Sequence, residues 1–456
     1  MRTDIFPGSE PAYIIGGSVR DLLLGREPVD YDIAVSGNPD KFARLLAAKT
    51  RGRIVEIGKP GRMIIRIVSG KTIFDVTSLL GGSLEADLGN RDFTINAMAC
   101  PLGSGEIIDP LGGLRDLTDK KIRMVSATVF KNDPVRLIRA YRMSANLDFE
   151  IDPLTVRAIR DDAQRIQHTA GERIRSELFK MMACGKSYDT LRQMDSARLL
   201  TAIFPELGNA KGCYQNRHHQ YDVFEHTMRA YYNIEAMLND PDAAPVDLSG
   251  RLMPPADIKS AVLLKCAILL HDIGKPEKRT VTGDGNVRFY GHSRKSADMA
   301  LEISNRLRFS AREKRFVDVI IRNHTRPLLL FLAYKNNALT SRGKTRFFMK
   351  CGEHTPFLLL HTLADSMAKK DPAGKANEAF LLFVKDLFRV YFSEFKPRSG
   401  QPPLLTGHDL IETLDMTPSP LFGKILTRVK VASLSNKIQS KAEALQLARE
   451  IFNSNP

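Results

Sequence analysis

Cysteine is scarce in this 456-residue chain: five residues in all (Cys100, Cys184, Cys213, Cys266 and Cys351), with no C-x-x-C pair among them. An odd, scattered set excludes a disulfide framework and a cysteine zinc site, and it suits a reducing compartment. No apolar run approaches the ~18 residues that would cross a bilayer. Residues Met1 to Pro11 lack the apolar core of a secretory signal. The expectation is a cytoplasmic protein with no membrane association. Internal repeats and low-complexity tracts are also missing.

What is present is an ordinary globular composition, 43% hydrophobic and 26% charged, on a chain long enough for two to four domains. The net charge of +15 is unevenly spread: Glu302 to Lys350 holds twelve Lys/Arg against three Asp/Glu. A solvated basic face accounts for such a stretch, and so does a polyanionic partner, whose phosphates release counterions when contacted. The balance favours nucleic acid.

Up to about Val125 the chain alternates short apolar runs with turn signals. Tyr13-Ile14-Ile15 runs into Gly16-Gly17, and Tyr31 to Val35 ends at Ser36-Gly37-Asn38-Pro39. Met63 to Val68 and Thr72 to Val76, separated by Ser69-Gly70, predict a hairpin, and Asp40 to Lys49 predicts a helix. The fold class expected is α+β, a small mixed sheet with helices followed by all-α regions. Helical periodicity dominates thereafter, over Pro134 to Ala145, Pro153 to Arg160, Arg173 to Ala183 and Ser260 to His271. Candidate linkers are Asp240 to Pro255, Gly283 to Asn286, and Lys396 to Pro403.

The first chemical constellation is Gly16-Gly17-Ser18-Val19-Arg20-Asp21, then Asp30-Tyr31-Asp32. Glycines let backbone approach phosphate oxygens, a helix start offers N–H groups, and Arg20 adds a bidentate cation. Side chains alternate along a strand, so Asp30 and Asp32 share a face and suit divalent metal. Asp75, in Ile73-Phe74-Asp75-Val76, is a candidate third carboxylate on a neighbouring strand. A lone Gly-Gly is usually a turn and a lone Asp-x-Asp is usually solvated; the order and spacing give the set its weight.

These residues resemble the class II tRNA nucleotidyltransferase and bacterial poly(A) polymerase family. The resemblance extends through Arg91-Asp92-Phe93-Thr94-Ile95-Asn96-Ala97-Met98-Ala99, Asp109-Pro110-Leu111-Gly112-Gly113 with Asp116-Leu117, Asn132-Asp133-Pro134-Val135-Arg136-Leu137-Ile138-Arg139-Ala140-Tyr141-Arg142, and Glu172-Arg173-Ile174. It is dense from Ile14 to Lys180 and looser beyond. It implies transfer of nucleoside monophosphates from CTP or ATP to an RNA 3′ end. Asp30 and Asp32 would bind Mg²⁺, and Gly17, Arg20 and Arg91 would contact the triphosphate. Asp133, Arg136, Arg139 and Arg142 would form the nucleotide pocket. Asp133 and Arg136, three residues apart, would be neighbours on one helix face. The bland alternative for Asp133 is a helix N-cap ahead of Pro134. Where the tRNA enzymes commonly carry Glu before this Asp, the chain has Asn132.

The second constellation is His271-Asp272 with Gly274-Lys275, preceded by His226 and followed by His292, His324 and Asp365. The ordered pattern resembles an HD-type metal phosphohydrolase domain. His226, His271, Asp272 and Asp365 would form a mixed N/O set for a second divalent metal, Mn²⁺, Ni²⁺, Co²⁺ or Mg²⁺. His218, His219, His354, His361 and His408 are assigned structural or RNA-facing roles.

The implied organisation is a nucleotidyltransferase head (1–125), a helical neck that selects nucleotide and binds RNA (126–210), an HD-type domain (211–395) and a helical tail (396–456). The leading reading is a tRNA nucleotidyltransferase adding all or part of the 3′ CCA, with HD phosphohydrolase activity as an addition. Its partners would be the tRNA acceptor end, CTP and ATP. Ile33-Ala34-Val35-Ser36-Gly37 and the segment Thr406 to Ile411 look more like the tRNA enzymes than like poly(A) polymerase, which is the alternative in the same fold. From another class, the alternative is an HD phosphohydrolase whose head only binds nucleotide; a non-catalytic RNA-binding protein is disfavoured by the intact Asp-x-Asp. A flexible loop over Ser78 to Asn90 is expected to bear on the choice of C or A.

Overall fold

The computed structural model describes residues 5–8, 11–28, 30–59, 62–214, 221–248, 257–283, 285–369 and 378–454. The chain divides into two compact units, Met1–Ile203 and Phe204–Pro456.

The first unit opens with a six-stranded mixed sheet: β1 (Ala12–Ile15), β2 (Asp30–Val35), β3 (Arg53–Lys59), β4 (Arg62–Ser69), β5 (Thr72–Ser78) and β6 (Ala99–Pro101), in the order β3-β4-β5-β2-β1-β6. β2 runs parallel to β5, so Asp30 faces Ile73 and Asp32 faces Asp75 across the ladder; the other pairs are antiparallel. β4 and β5 form the expected hairpin, with Ser69 opposite Thr72 and Gly70 at φ +63° in the turn. The helix Pro39–Thr50 packs on β2 to β5, burying Phe42, Ala43, Leu46 and Ala47; Asn38 caps it by accepting from the Lys41 amide. Full burial of Ile14, Ile33 and Ile67 contributes about 2 kcal/mol each to this core.

Two expectations need correction here. Ser78 to Asn90 is not an open loop: Leu84–Gly89 is a helix, capped by Ser83, with Leu84 and Leu88 buried against Ile15, Ala34, Ala97 and Ala99. Their spacing of four puts both leucines on one side of the helix, and that apolar contact orders the segment. The second concerns Asp133. The helix of the neck motif is Arg136–Leu147, and Asp133 precedes it in extended conformation (φ −151°, ψ 95°), ending the short turn Val129–Asn132. The residue before a proline is pushed out of the helical region, so Asp133 stands just ahead of the helix rather than on its face, yet its carboxylate still lies 4.0 Å from Arg136 Nε, so the two side chains are neighbours as expected. Further neck helices are Pro153–Asp162, Gly171–Met182, Ser187–Ser196 and Leu199–Ile203.

Among its described residues, the regular structure of the second unit is helical apart from the two-residue strands Thr280–Val281 and Val287–Arg288. These pair antiparallel, so the described residues of the presumed linker, Gly283, Gly285 and Asn286, lie between paired strands, with Gly285 at φ +77°. Part of the Asp240 to Pro255 stretch, like His218 and His219, lies outside the described residues. Near its end, Leu405, Leu410, Met416, Ile425, Val429, Ala444, Ala448 and Ile451 gather in a core cluster of their own. Among the described residues no helix is long and apolar enough to cross a membrane.

Candidate functional site

In the first unit, strand alternation puts Tyr31 on one face of the sheet, stacked on Phe74, and Asp30 and Asp32 on the other. Ser18 joins the helix Gly17–Leu23 to β2 between the aspartates. Its Oγ donates to the Asp30 carbonyl (3.0 Å) and accepts from the Asp32 amide (2.9 Å). Gly16 has φ +73°, and a Cβ there would strike the Arg91 guanidinium and come within 3.5 Å of Asp32 Oδ2. Glycine is what lets Arg91 lie beside Asp32. Arg91 is held from behind by buried Asp87 (3.2 Å). Arg20 donates to Asp21 (2.7 Å) and to Asn96 Oδ1 (2.7 Å).

Burial raises the Asp32 carboxyl above its ordinary range; Arg91 and Arg20 oppose this, while Asp75 and Asp30 add repulsion. A cation bound by Asp30 and Asp32 relieves that repulsion, so the pair fits a divalent metal. Asp75 stands on the neighbouring strand as expected, but its carboxylate is engaged by a bidentate pair with Arg66 (2.8 and 2.7 Å).

A polar network runs from Arg20 into the neck. Buried Asp92 accepts from Asn96 Nδ2 (2.9 Å), the Phe93 amide (2.8 Å) and Arg139 Nη1 (3.1 Å). Burial works against its charge, yet Arg139 and these donors outweigh burial and lower its pKa. Arg139 also reaches Glu177 (3.4 Å), whose other oxygen accepts from Arg142. Asp133 is paired bidentately with Arg173 (3.0 and 2.8 Å). Burial opposes its charge, and the Arg173 hydrogen bonds prevail, lowering its pKa. Arg136 donates to the carbonyls of Asn90 (2.7 Å) and Arg91 (3.2 Å), and its Nε is buried without a hydrogen-bond partner. The motif around Asp109 is a brace: it accepts from the Gly113 and Leu114 amides, and Asp116 accepts from Thr94 (2.6 Å). A Cβ on Gly113 would collide with the Thr94 carbonyl and Met98.

In the second unit, four predicted residues converge. His226 comes from the first turn of the helix Val223–Asn239, and His271 and Asp272 from the end of the apolar helix Ile258–Leu270. Asp365 comes from the helix Thr355–Met367. Their ligand atoms lie within 4.8 Å of one another. His226 Nε2 meets Asp365 Oδ1 at 2.8 Å, and His271 Nε2 meets Asp272 Oδ2 at 3.0 Å. Burial opposes charge on His271, but Asp272 outweighs it and pushes the imidazole up to about 9. Burial lowers His226 and pushes His324 down to about 3. His271 Nε2 and both Asp272 oxygens are buried without a hydrogen bond of good geometry, although the buried Lys275 Nζ lies 2.6 Å from Asp272 Oδ2 as an ion pair. That donor set, two imidazoles and two carboxylates, fits a divalent cation.

Sequence reasoning passed over several residues. Ser18, Asn96, Asp92 and Glu177 hold functional side chains rather than offer chemistry, and Arg173, in the quoted Glu172-Arg173-Ile174, partners Asp133. His361 belongs to the histidine cluster: it is buried one turn before Asp365, its ring 4.9 Å from that of His271. His354 is a buried ring against Phe316, and His408 is an exposed partner of Glu412.

Comparison with known proteins agrees with this geometry. Residues 12–80 and 77–123 match the Poly A polymerase head domain, 148–211 the probable RNA and SrmB-binding site of polymerase A, and 223–350 the HD domain. The A-adding tRNA nucleotidyltransferase of Deinococcus radiodurans is 31% identical over 97% of this chain and 96% of its own. The chain belongs to the tRNA nucleotidyltransferase and poly(A) polymerase family. A second family member, the CC-adding tRNA nucleotidyltransferase of Synechocystis, is 29% identical over 97% of this chain and 94% of its own. The fold agrees with the Thermotoga maritima CCA-adding enzyme complexed with tRNA (TM-score 0.61, 21% identity, 98% and 92% covered). Family membership makes the chain a nucleotidyltransferase with an appended HD domain.

Proposed function

We propose that this chain transfers nucleoside monophosphates from CTP, ATP or both to the 3′ end of tRNA, building or completing the CCA terminus with release of pyrophosphate. The carrying observation is full-length similarity to tRNA nucleotidyltransferases combined with an intact Asp30/Asp32 pair beside Arg91. A head that only binds nucleotide needs no such pair of carboxylates.

In this reading Asp30 and Asp32 would hold Mg²⁺, which when bound would supply charge neutralisation at the reacting phosphate and activate the attacking hydroxyl. Arg91, kept close by the missing Cβ of Gly16, Arg20, held by Asn96, and Gly17, at the start of the helix Gly17–Leu23, contact the triphosphate. Asp133 and Arg136 select the base. An ionised carboxylate only accepts hydrogen bonds, and Arg173 favours that ionised state. Asp133 therefore suits the amino group of cytosine or adenine, and the Arg136 guanidinium suits the adjacent ring nitrogen. Uracil and guanine present the opposite polarity. Arg139 and Arg142, already paired with Asp92 and Glu177, shape the pocket rather than neutralise phosphate.

His226, His271, Asp272 and Asp365 would hold a divalent transition ion or Mg²⁺ for phosphoester hydrolysis. The division into head, neck, HD region and tail at 125, 210 and 395 is part of the same reading. So is a cytoplasmic location, which suits five scattered cysteines with no disulfide pattern.

The test is incubation with tRNA lacking CCA, CA or A, with CTP and ATP supplied separately and Mg²⁺ present. Addition should stop after at most three nucleotides. A long poly(A) product on unstructured RNA, or no incorporation, overturns the reading.

A further inference from the structure

The neck helix Arg136–Leu147 carries different chemistry on its two sides. Arg136, Arg139 and Arg142 recur every three residues, and their partners are the Asn90 carbonyl, Asp92 and Glu177. At about 100° of rotation per residue, Tyr141, Ser144 and Ala145 fall on the side opposite Arg139. There they line a cavity of about 610 Å³, closed by the helices Pro153–Asp162 and Ser187–Ser196. The volume lies within the range of small-molecule sites, about 300–1,000 Å³. All of its lining belongs to the first compact unit.

Part of the lining is apolar, from Phe149, Ile151, Val156 and Ala197. Tyr141 is buried, and its hydroxyl has no hydrogen-bond partner. Burial raises the phenol above its ordinary pKa, and the nearby Arg160 guanidinium opposes that shift. A buried hydroxyl left unpaired costs about 1–3 kcal/mol. A polar ligand atom in the cavity would supply the missing partner. Several of the lining charges cancel one another: Lys186 pairs with Asp148 (2.9 Å), and Glu150 with Lys121 (2.5 Å). Two remain. Arg160 reaches the Ser196 carbonyl at 3.4 Å, and the Asp189 carboxylate makes no hydrogen bond or ion pair among the described residues.

An uncommitted guanidinium, an uncommitted carboxylate and a phenol around apolar walls match the edge and face of a flat heterocycle. The guanidinium donates to ring nitrogens and keto oxygens. The carboxylate accepts from amino and ring N–H groups, and the phenol can do either. A nucleobase offers both kinds of edge atom and an apolar face. We propose that this cavity binds a single nucleobase, carried by a free nucleoside or by an unpaired nucleotide of RNA, on the side of the helix opposite the arginines. The site is separate from the Asp133/Arg136 pair, and it does not depend on which nucleotides the head adds.

The test is equilibrium dialysis of labelled adenosine and cytidine against the full-length Asp133→Ala protein, in which the selecting pair is broken. One nucleoside per chain is expected. Asp189→Asn and Arg160→Gln, both at exposed positions, should each weaken binding at least about tenfold, the loss of one charged hydrogen bond. Tyr141→Phe keeps the buried ring, removes only the hydroxyl and should also weaken binding. Capture of the free nucleosides identifies them as the source. Binding of single-stranded oligo(A) alone, with the same sensitivity to the three variants, identifies RNA. Binding that none of the three variants alters overturns the proposal. So does displacement of the nucleoside by a free amino acid such as leucine, or failure of both nucleosides and oligo(A) to bind.

Discussion

At Gly16 a single methyl group separates a working arrangement from a blocked one. The residue sits at φ +73° with the Arg91 guanidinium filling the space a Cβ would take. Gly16→Ala should therefore lower stability by about 1–3 kcal/mol and reduce nucleotide addition more than it reduces any hydrolysis by the second unit. Equilibrium denaturation and paired activity assays read the two effects; equal loss of both activities would contradict it. Asp92 gives a pH signature. Its folded pKa is depressed below the ordinary carboxylate value of ~3.9, because Arg139 and three hydrogen bonds outweigh burial. A depressed carboxylate contributes stability that is present above its unfolded pKa and lost as pH falls through the folded one. Asp92→Asn should cost about 3 kcal/mol at pH 7, and the gap to wild type should shrink as pH falls below about 4. A gap unchanged between pH 7 and pH 3 would exclude the charge as its source.

At the scale of elements, what could be read from sequence tracks local signal. The β4–β5 hairpin and the helix Pro39–Thr50 were legible because alternation, turn glycine and cap lie within a few residues of each other. β3 and β6 were not. β3 is the sheet's edge, with Ile54, Val55 and Ile57 substantially exposed, and β6 has three residues that depend on pairing with β1. The carboxylates and His-Asp pair of the candidate sites stood out by their order and spacing together with the family resemblance that these carry. Their supports, Asn96 under Arg20, Arg173 against Asp133 and His361 beside His271, are contacts between distant segments that no spacing encodes. The helix Ala311–Asn323, which delivers His324 at its far end, starts with a reciprocal cap between Ser310 and Glu313. Ser310→Ala should cost about 1 kcal/mol in a denaturation experiment, the loss of a reciprocal helix cap. An unchanged denaturation midpoint would show that the cap does not hold this helix.

At the scale of the molecule, one chain carries two chemistries in two compact units. The first offers carboxylates beside guanidinium groups, suited to a triphosphate. The second offers histidines around a carboxylate, suited to transition ions, in a sequence whose stretch from Glu302 to Lys350 is strongly basic. With a net charge of +15, tRNA affinity should fall at least about tenfold between 50 and 200 mM salt, because each phosphate contact releases counterions; a flat salt response would argue against a backbone-tracking interface. The central claim is that nucleotide addition belongs to the Asp30/Asp32 site and is independent of the histidine cluster. Its most direct test is incorporation of labelled CTP and ATP into CCA-less tRNA by wild type, Asp32→Ala and His271→Ala proteins of equal folded content. Wild type and His271→Ala should add the same one to three nucleotides, while Asp32→Ala falls by about 1,000-fold or more. Sustained addition by Asp32→Ala, or its loss in a folded His271→Ala protein, would contradict the account.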